Sequence, residues 1–248
     1  MPLPTIRGLI DRRVLVNFRV DPDVLARVLP APFRPQVVGG YGIAGICLIR
    51  LSQIRPLGWP AAWGLRSENA AHRIAVEWDN QGQVQRGVFV PRRDTSSFWN
   101  SLAGGRLFPG VYHHSKFEVR ETPDEYAVAF QNPDGMQLSV EGRVSESVPP
   151  DSVFPTLAAA SDFFLQGAVG YSPGKHQGQF DGMKLCTTTW DMTALAISHV
   201  SSSWFSDPSR FPPGSLVFDS AFLMRQIAHE WRGTEGISIP QAAATCCE

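Results

Sequence analysis

The stretch Gly87–Phe117, GVFVPRRDTSSFWNSLAGGRLFPGVYHHSKF, decides how this chain is read. It has the pattern of a strand, a short helix, a glycine turn and a second strand. Arg92, Arg93, Asp94, Arg106, His113, His114 and Lys116 all lie within it, between apolar runs that must be partly buried. Burying charge is costly unless the charge is paired or used. The segment therefore marks both a sheet-rich fold and the place to look for a site.

Outward from this segment the pattern stays strand-like. Val14, Val16, Phe18 and Val20 alternate with Leu15, Asn17 and Arg19, as a strand requires. Asp21 and Pro22 supply an N-cap and a first-turn proline for a short helix carrying Val24, Leu25, Val28 and Leu29. GYGIAGICLIRL (40–51) reads as a strand buried on both faces, and AAHRIAVEW (70–78) turns at Asn80–Gly82 into VQRGVFVP (84–91). Asp94 or Thr95 is placed as the cap of a helix running to Leu102. Strands are expected over 111–121, 125–130 and 136–144, then a helix over 156–166, then strands near 180–190, 193–205 and 214–224. VPPDSVFP (148–155) is the best internal boundary. Many short strands with few helices point to an antiparallel barrel or sandwich, mainly β with some α. Residues 1–236 are read as one domain and 237–248 as a flexible tail.

Composition bounds the function. The chain has 248 residues, net charge −1 and 18% charged residues, with no basic excess to neutralise phosphates, so nucleic acid is not an expected partner. No apolar run has the length of a membrane span, and the first residues lack a signal-peptide pattern; the cytosol is the expected compartment. Cys47 and Cys186 sit in apolar strand-like runs, and Cys246–Cys247 in the tail; no CxxC pair marks a metal or redox site. No metal and no cofactor are expected. The 22 basic residues include only three lysines, Lys116, Lys175 and Lys184, so any Schiff-base chemistry has three candidates.

The ordered segments 14–33, 40–51, 67–78 and 87–119 resemble the acetoacetate decarboxylase-like superfamily, and within it the YqjF-like domain family, whose function is generally unassigned. The resemblance implies a β-barrel with a cone-shaped central cavity and a few peripheral helices. It also implies a lysine pair in SSFWN (96–100) or FPGV (108–111), one of the pair forming a Schiff base with a ketone; this chain has no lysine at either place. A family arginine falls near Arg12 within one residue. One family glutamate falls in Gly42–Cys47 without a counterpart, and another matches Glu68 loosely. Acetoacetate decarboxylation is therefore not expected.

The remaining candidates follow from residue chemistry. Glu68 is the first choice for a general acid or base. His113 and His72 each sit on the apolar face of a strand, either as cavity residues or as satisfied core histidines. Lys116 is either a catalytic amine or an exposed partner of Glu118. Arg92, Arg93 and Arg106 are anion anchors or a surface network. Gly170–Gly174 formally matches GxSxG, but Pro173 cannot supply the oxyanion N–H, so the segment is read as a turn with Tyr171 near the cavity. Glu68 and His113 are expected in one pocket with an arginine at its rim. The expected function is binding of a small carboxylated or carbonyl compound. Acid–base lyase or isomerase chemistry is one reading and non-catalytic binding or sensing the other. Self-association through the Trp-rich loop at 55–64 is a third element of the reading.

Overall fold

The computed structural model describes residues 5–97 and 110–239. Arg106, the expected helix to Leu102 and Cys246–Cys247 lie outside the described residues. The fold is mainly β. The first half runs β1 (Ile6–Val20), α1 (Pro22–Val28), β2 (Arg34–Pro35), β3 (Val37–Val38), β4 (Tyr41–Pro56), β5 (Leu65–Asn80) and β6 (Gln83–Thr95). After these come β7 (Tyr112–His114), β8 (Lys116–Glu121), β9 (Glu125–Gln131) and β10 (Gln137–Ser145). The chain continues through α2 (Leu157–Gln166), β11 (Val169–Pro173), β12 (Gln179–Thr187), β13 (Thr193–Ser202) and β14 (Leu216–Ser238).

Local chemistry accounts for the element ends. Asp21 caps α1, its side chain accepting from the Asp23 N–H at 2.8 Å, and Thr156 caps α2 through the Ala159 N–H at 3.1 Å. Gln81 and Gly82 both have positive φ, 49° and 80°, which gives the β5–β6 hairpin a turn of the type that matches strand twist. Asp94 and Thr95 close β6 and are fully buried. The expected strand over 111–121 is two strands. Ser115 breaks it by donating its N–H to the Thr95 carbonyl at 2.9 Å and its hydroxyl to Asp94 at 3.0 Å. Gly170–Pro173, expected as a turn, lies in β11.

The strands form one sheet, ordered β1-β4-β5-β6-β11-β12-β14-β13-β10-β9-β8, and β1 also pairs with β14. The hydrogen-bonded path β1-β4-β5-β6-β11-β12-β14 thus returns to its start, and β13, β10, β9 and β8 extend from β14. Most pairs are antiparallel, but β6 runs parallel to both β7 and β11, so the sheet is not purely antiparallel. β14 pairs with β1 from Leu216 to Trp231, which joins the segment after Pro149 to the first strand of the chain.

Strand alternation sends side chains to two apolar clusters. Val14, Val16, Phe18, Ile74, Val76 and Trp78 pack in the first, with Val128, Phe130 and Leu195 from the extension. Ile10, Leu15, Ile43, Cys47, Phe222 and Met224 pack in the second, covered by Phe164 of α2. The core is therefore divided between two faces, and Val88, Phe117 and Val119 are only half-buried. Phe222 is wholly buried; truncating it to alanine would cost about 3–5 kcal/mol. Trp59 and Trp63 pack edge to face at 5.7 Å yet stay 52% and 67% exposed. No helix among the described residues is long and apolar enough to cross a membrane.

Candidate functional site

The second cluster encloses a cavity of 130 Å³. All seven strands of the closed path reach it: Ile10 and Arg13 from β1, Cys47 from β4, Arg73 from β5, Arg93 from β6, Gly170 from β11, Met183 from β12 and Trp231 from β14. Tyr112 and Trp190 complete the wall. Space arises because the face of β5 that meets it carries Asn69, Ala71 and Ala75, small residues flanking Arg73. Its other face carries His72, Ile74, Val76 and Trp78 into the first cluster.

Three arginines meet this cavity without a carboxylate. Arg73 is 4% exposed. It donates to Asn17 Oδ1 at 2.5 Å, lies over the Phe164 ring at 4.9 Å, and its Nε has no hydrogen-bond partner among the described residues. The pairing register explains the Asn17 contact: Gly45 stands between Asn17 on β1 and Arg73 on β5, so the two side chains meet across a strand that has no side chain there. A Cβ at Gly45 would collide with the Val16 carbonyl oxygen, which fixes glycine at that position. Burial lowers the Arg73 pKa from the ordinary arginine range to about 10, with the Arg13 charge acting in the same direction and Cys47 against it.

Arg13 donates from Nε to Cys47 Sγ at 3.3 Å and stacks over Trp190 at 5.4 Å. Arg93 donates to Ser172 Oγ at 3.3 Å and lies over Tyr112 at 5.7 Å. Burial raises the Tyr112 pKa, against the pull of Arg93, so its hydroxyl remains a proton donor at neutral pH. Among the described residues no Asp or Glu pairs with Arg13, Arg73 or Arg93, and none lines the cavity. Arg73 is buried and Arg13 and Arg93 are half-buried; guanidinium groups with no described carboxylate beside them have donors to offer an anion.

The structure distributes the sequence-derived candidates differently from expectation. Of the rim arginines, Arg93 reaches the cavity. Arg92 lies on the opposite face, paired with Asp94 at 2.9 Å and Asp134 at 2.9 Å. Glu68 does not line the cavity; it is clasped by Arg12 at 2.6 Å and Arg50 at 2.5 Å, and Glu121 joins both arginines. Arg12 is thereby committed to an ion network, and its neighbour Arg13 is the one that faces the cavity. His113 pairs with Asp134 at 3.0 Å beside Arg92, so Glu68 and His113 do not share a pocket. His72 is buried among Trp204 and Phe205 with Ser202 Oγ at 3.0 Å, and burial lowers its pKa to about 3. Tyr171 packs on Phe33 and Trp78 in the first cluster and donates to the Glu235 carbonyl at 3.2 Å, away from the cavity. Lys116 is 75% exposed beside Glu118, and Lys175 and Lys184 are exposed as well.

The family model DUF2071, described as "Uncharacterized conserved protein", matches residues 10–204. The chain belongs to this family. No curated protein matches it in sequence. Among solved structures it is similar to acetoacetate decarboxylase from Legionella pneumophila, at TM-score 0.63 and 12% identity, covering 96% of this chain and 88% of that one. It is also similar to an acetoacetate decarboxylase-like enzyme from Sphingomonas wittichii RW1, at TM-score 0.60 and 14% identity, covering 96% and 93%. A third is the enduracididine biosynthesis enzyme MppR complexed with pyruvate, at TM-score 0.58 and 11% identity, covering 96% and 91%. At such identities the likeness is one of fold: this member of the DUF2071 family has an acetoacetate decarboxylase-like fold.

Proposed function

We propose that the closed seven-strand path is a barrel and that its interior cavity binds a compact carboxylate. The observation that carries this reading is the trio Arg13, Arg73 and Arg93 on one small cavity with no acidic partner among the described residues. A bound carboxylate would supply the missing counter-charge and accept from the unpartnered Nε of Arg73. The apolar remainder of the wall, with Met183, Trp190 and Trp231, would take a short carbon chain. MppR, a neighbour in fold, holds pyruvate, which makes pyruvate the first probe. The reading rests on the arginines and not on Glu68 and His113, whose side chains are engaged elsewhere.

Schiff-base chemistry has no amine to use, because all three lysines are exposed. Titration calorimetry with pyruvate and other short acids, each against its primary amide, tests the proposal. At least one acid should bind to the wild type, its amide should not, and Arg73→Met should abolish binding. Equal binding of acids and amides would favour a carrier of neutral apolar ligands instead.

A further inference from the structure

Cys47 lines the cavity but has no part in the anion-binding reading. It stands on β4 between Leu15 of β1 and Ala71 of β5. It is 4% exposed. Its diagonal neighbours across the two flanking strands are Arg13 and Arg73, two residues from the direct partners. Arg13 donates to the sulfur at 3.3 Å, and the buried, partly unpartnered Arg73 faces the same space. The sulfur thus has one cationic donor on it and a second cation facing the same space, and a cysteine attacks as its thiolate. No described carboxylate competes for either arginine.

We infer that Cys47 is a carboxylate-directed nucleophile that adds reversibly to the carbonyl of a short 2-oxo acid; this rests on the anion-binding reading above. The arginines hold the acid group and so present the adjacent carbonyl carbon to the sulfur. With the thiol proton released to solvent, a sulfur lone pair forms the S–C bond. The C=O π pair moves to oxygen, and a guanidinium balances the resulting oxyanion. The oxyanion then takes up a proton from solvent, and the product is a hemithioketal. No oxidant, reductant or leaving group is needed.

The test compares alkylation by iodoacetate, whose carboxylate the arginines would recruit, with neutral iodoacetamide, mapped by peptide mass spectrometry. In each case the sulfur–carbon bond forms as iodide leaves. Cys47 should react about tenfold faster with iodoacetate, as expected for a charge-lined cleft, while Cys186 should favour iodoacetamide. Pyruvate should protect Cys47 alone. With pyruvate carrying carbon-13 at the carbonyl, the wild type should convert part of the carbonyl signal to a tetrahedral-carbon signal, and Cys47→Ser and Cys47→Ala should not. Calorimetry of the wild type with pyruvate, read beside the carbon-13 spectrum, keeps this inference separable from the binding reading. Equal or faster reaction of Cys47 with iodoacetamide, or a tetrahedral signal that survives in Cys47→Ser, would overturn the inference while leaving anion binding intact. Failure of the wild type to bind any short acid would overturn both.

Discussion

Arg73→Met removes the most buried cation of the cavity while keeping much of its side-chain volume. Burial lowers the Arg73 pKa from the ordinary arginine range to about 10. At about 1.4 kcal/mol per pKa unit, holding this charge costs the ligand-free protein about 3 kcal/mol. The sign is that of a base with a depressed pKa: the cost is present at every pH below about 10 and is relieved as pH rises above 10 towards the ordinary arginine range. Methionine removes that cost but leaves Asn17 Oδ1 without the donor it has at 2.5 Å, a loss of about 1–2 kcal/mol. The net effect is a gain of about 1–2 kcal/mol, which raises Tm by about 2–4 °C per kcal/mol in a chain of this size. Saturating pyruvate should add about 3 kcal/mol to the wild type at about a hundredfold over Kd, and nothing to the variant. Thermal unfolding with and without pyruvate reads both effects. A variant several degrees less stable than the ligand-free wild type, or one still stabilised by pyruvate, would show that Arg73 serves the fold and not a ligand.

Three further outcomes follow from the same geometry. Acetoacetate with borohydride should leave no adduct on Lys116, Lys175 or Lys184, since each is exposed; a stable adduct found by mass spectrometry on any of them would restore a Schiff-base role. Glu68→Gln should cost up to about 3 kcal/mol, because it removes a carboxylate from the 3%-exposed Arg12, yet leave pyruvate affinity unchanged; weakened binding in calorimetry would return Glu68 to the site. His72 and His229 have pKa values lowered by burial from 6.5 to about 3 and about 4, so folding stability is fully present above pH 6.5 and is lost as pH falls through this window. His72→Phe should flatten that loss in urea titrations across the same pH range, and an unchanged slope would contradict the assignment.

Much of the fold was legible because alternation and caps are local signals. β1, β4, β5 and the β5–β6 hairpin follow directly from apolar spacing and from Asn80–Gly82, and the helix over 156–166 was legible as well. The break at Ser115 was not legible, since it depends on Asp94 and Thr95 of another strand. The site was legible only in part. Arg93 stood out within its charged segment, but the adjacent Arg92, equally prominent, points the other way. Arg12 and Arg13 divide in the same manner, and a one-residue uncertainty in register selects the wrong member of the pair. Arg73 carried a signal that went unread: one face of β5 lists Asn69, Ala71, Arg73 and Ala75, small residues around a single long cation, which is how a strand lines a cavity. Glu68 looked reactive in isolation, and only the fold brings Arg12, Arg50 and Glu121 around it.

The central claim is that a carboxylate occupies the arginine-lined interior. A crystal structure of the protein grown with pyruvate tests it most directly. The account predicts pyruvate within the seven-strand path, its carboxylate within hydrogen-bond distance of Arg73 or Arg93 and its carbonyl carbon facing Cys47. A neutral apolar molecule in that cavity, or pyruvate seated instead on the Arg12–Arg50 network, would contradict it.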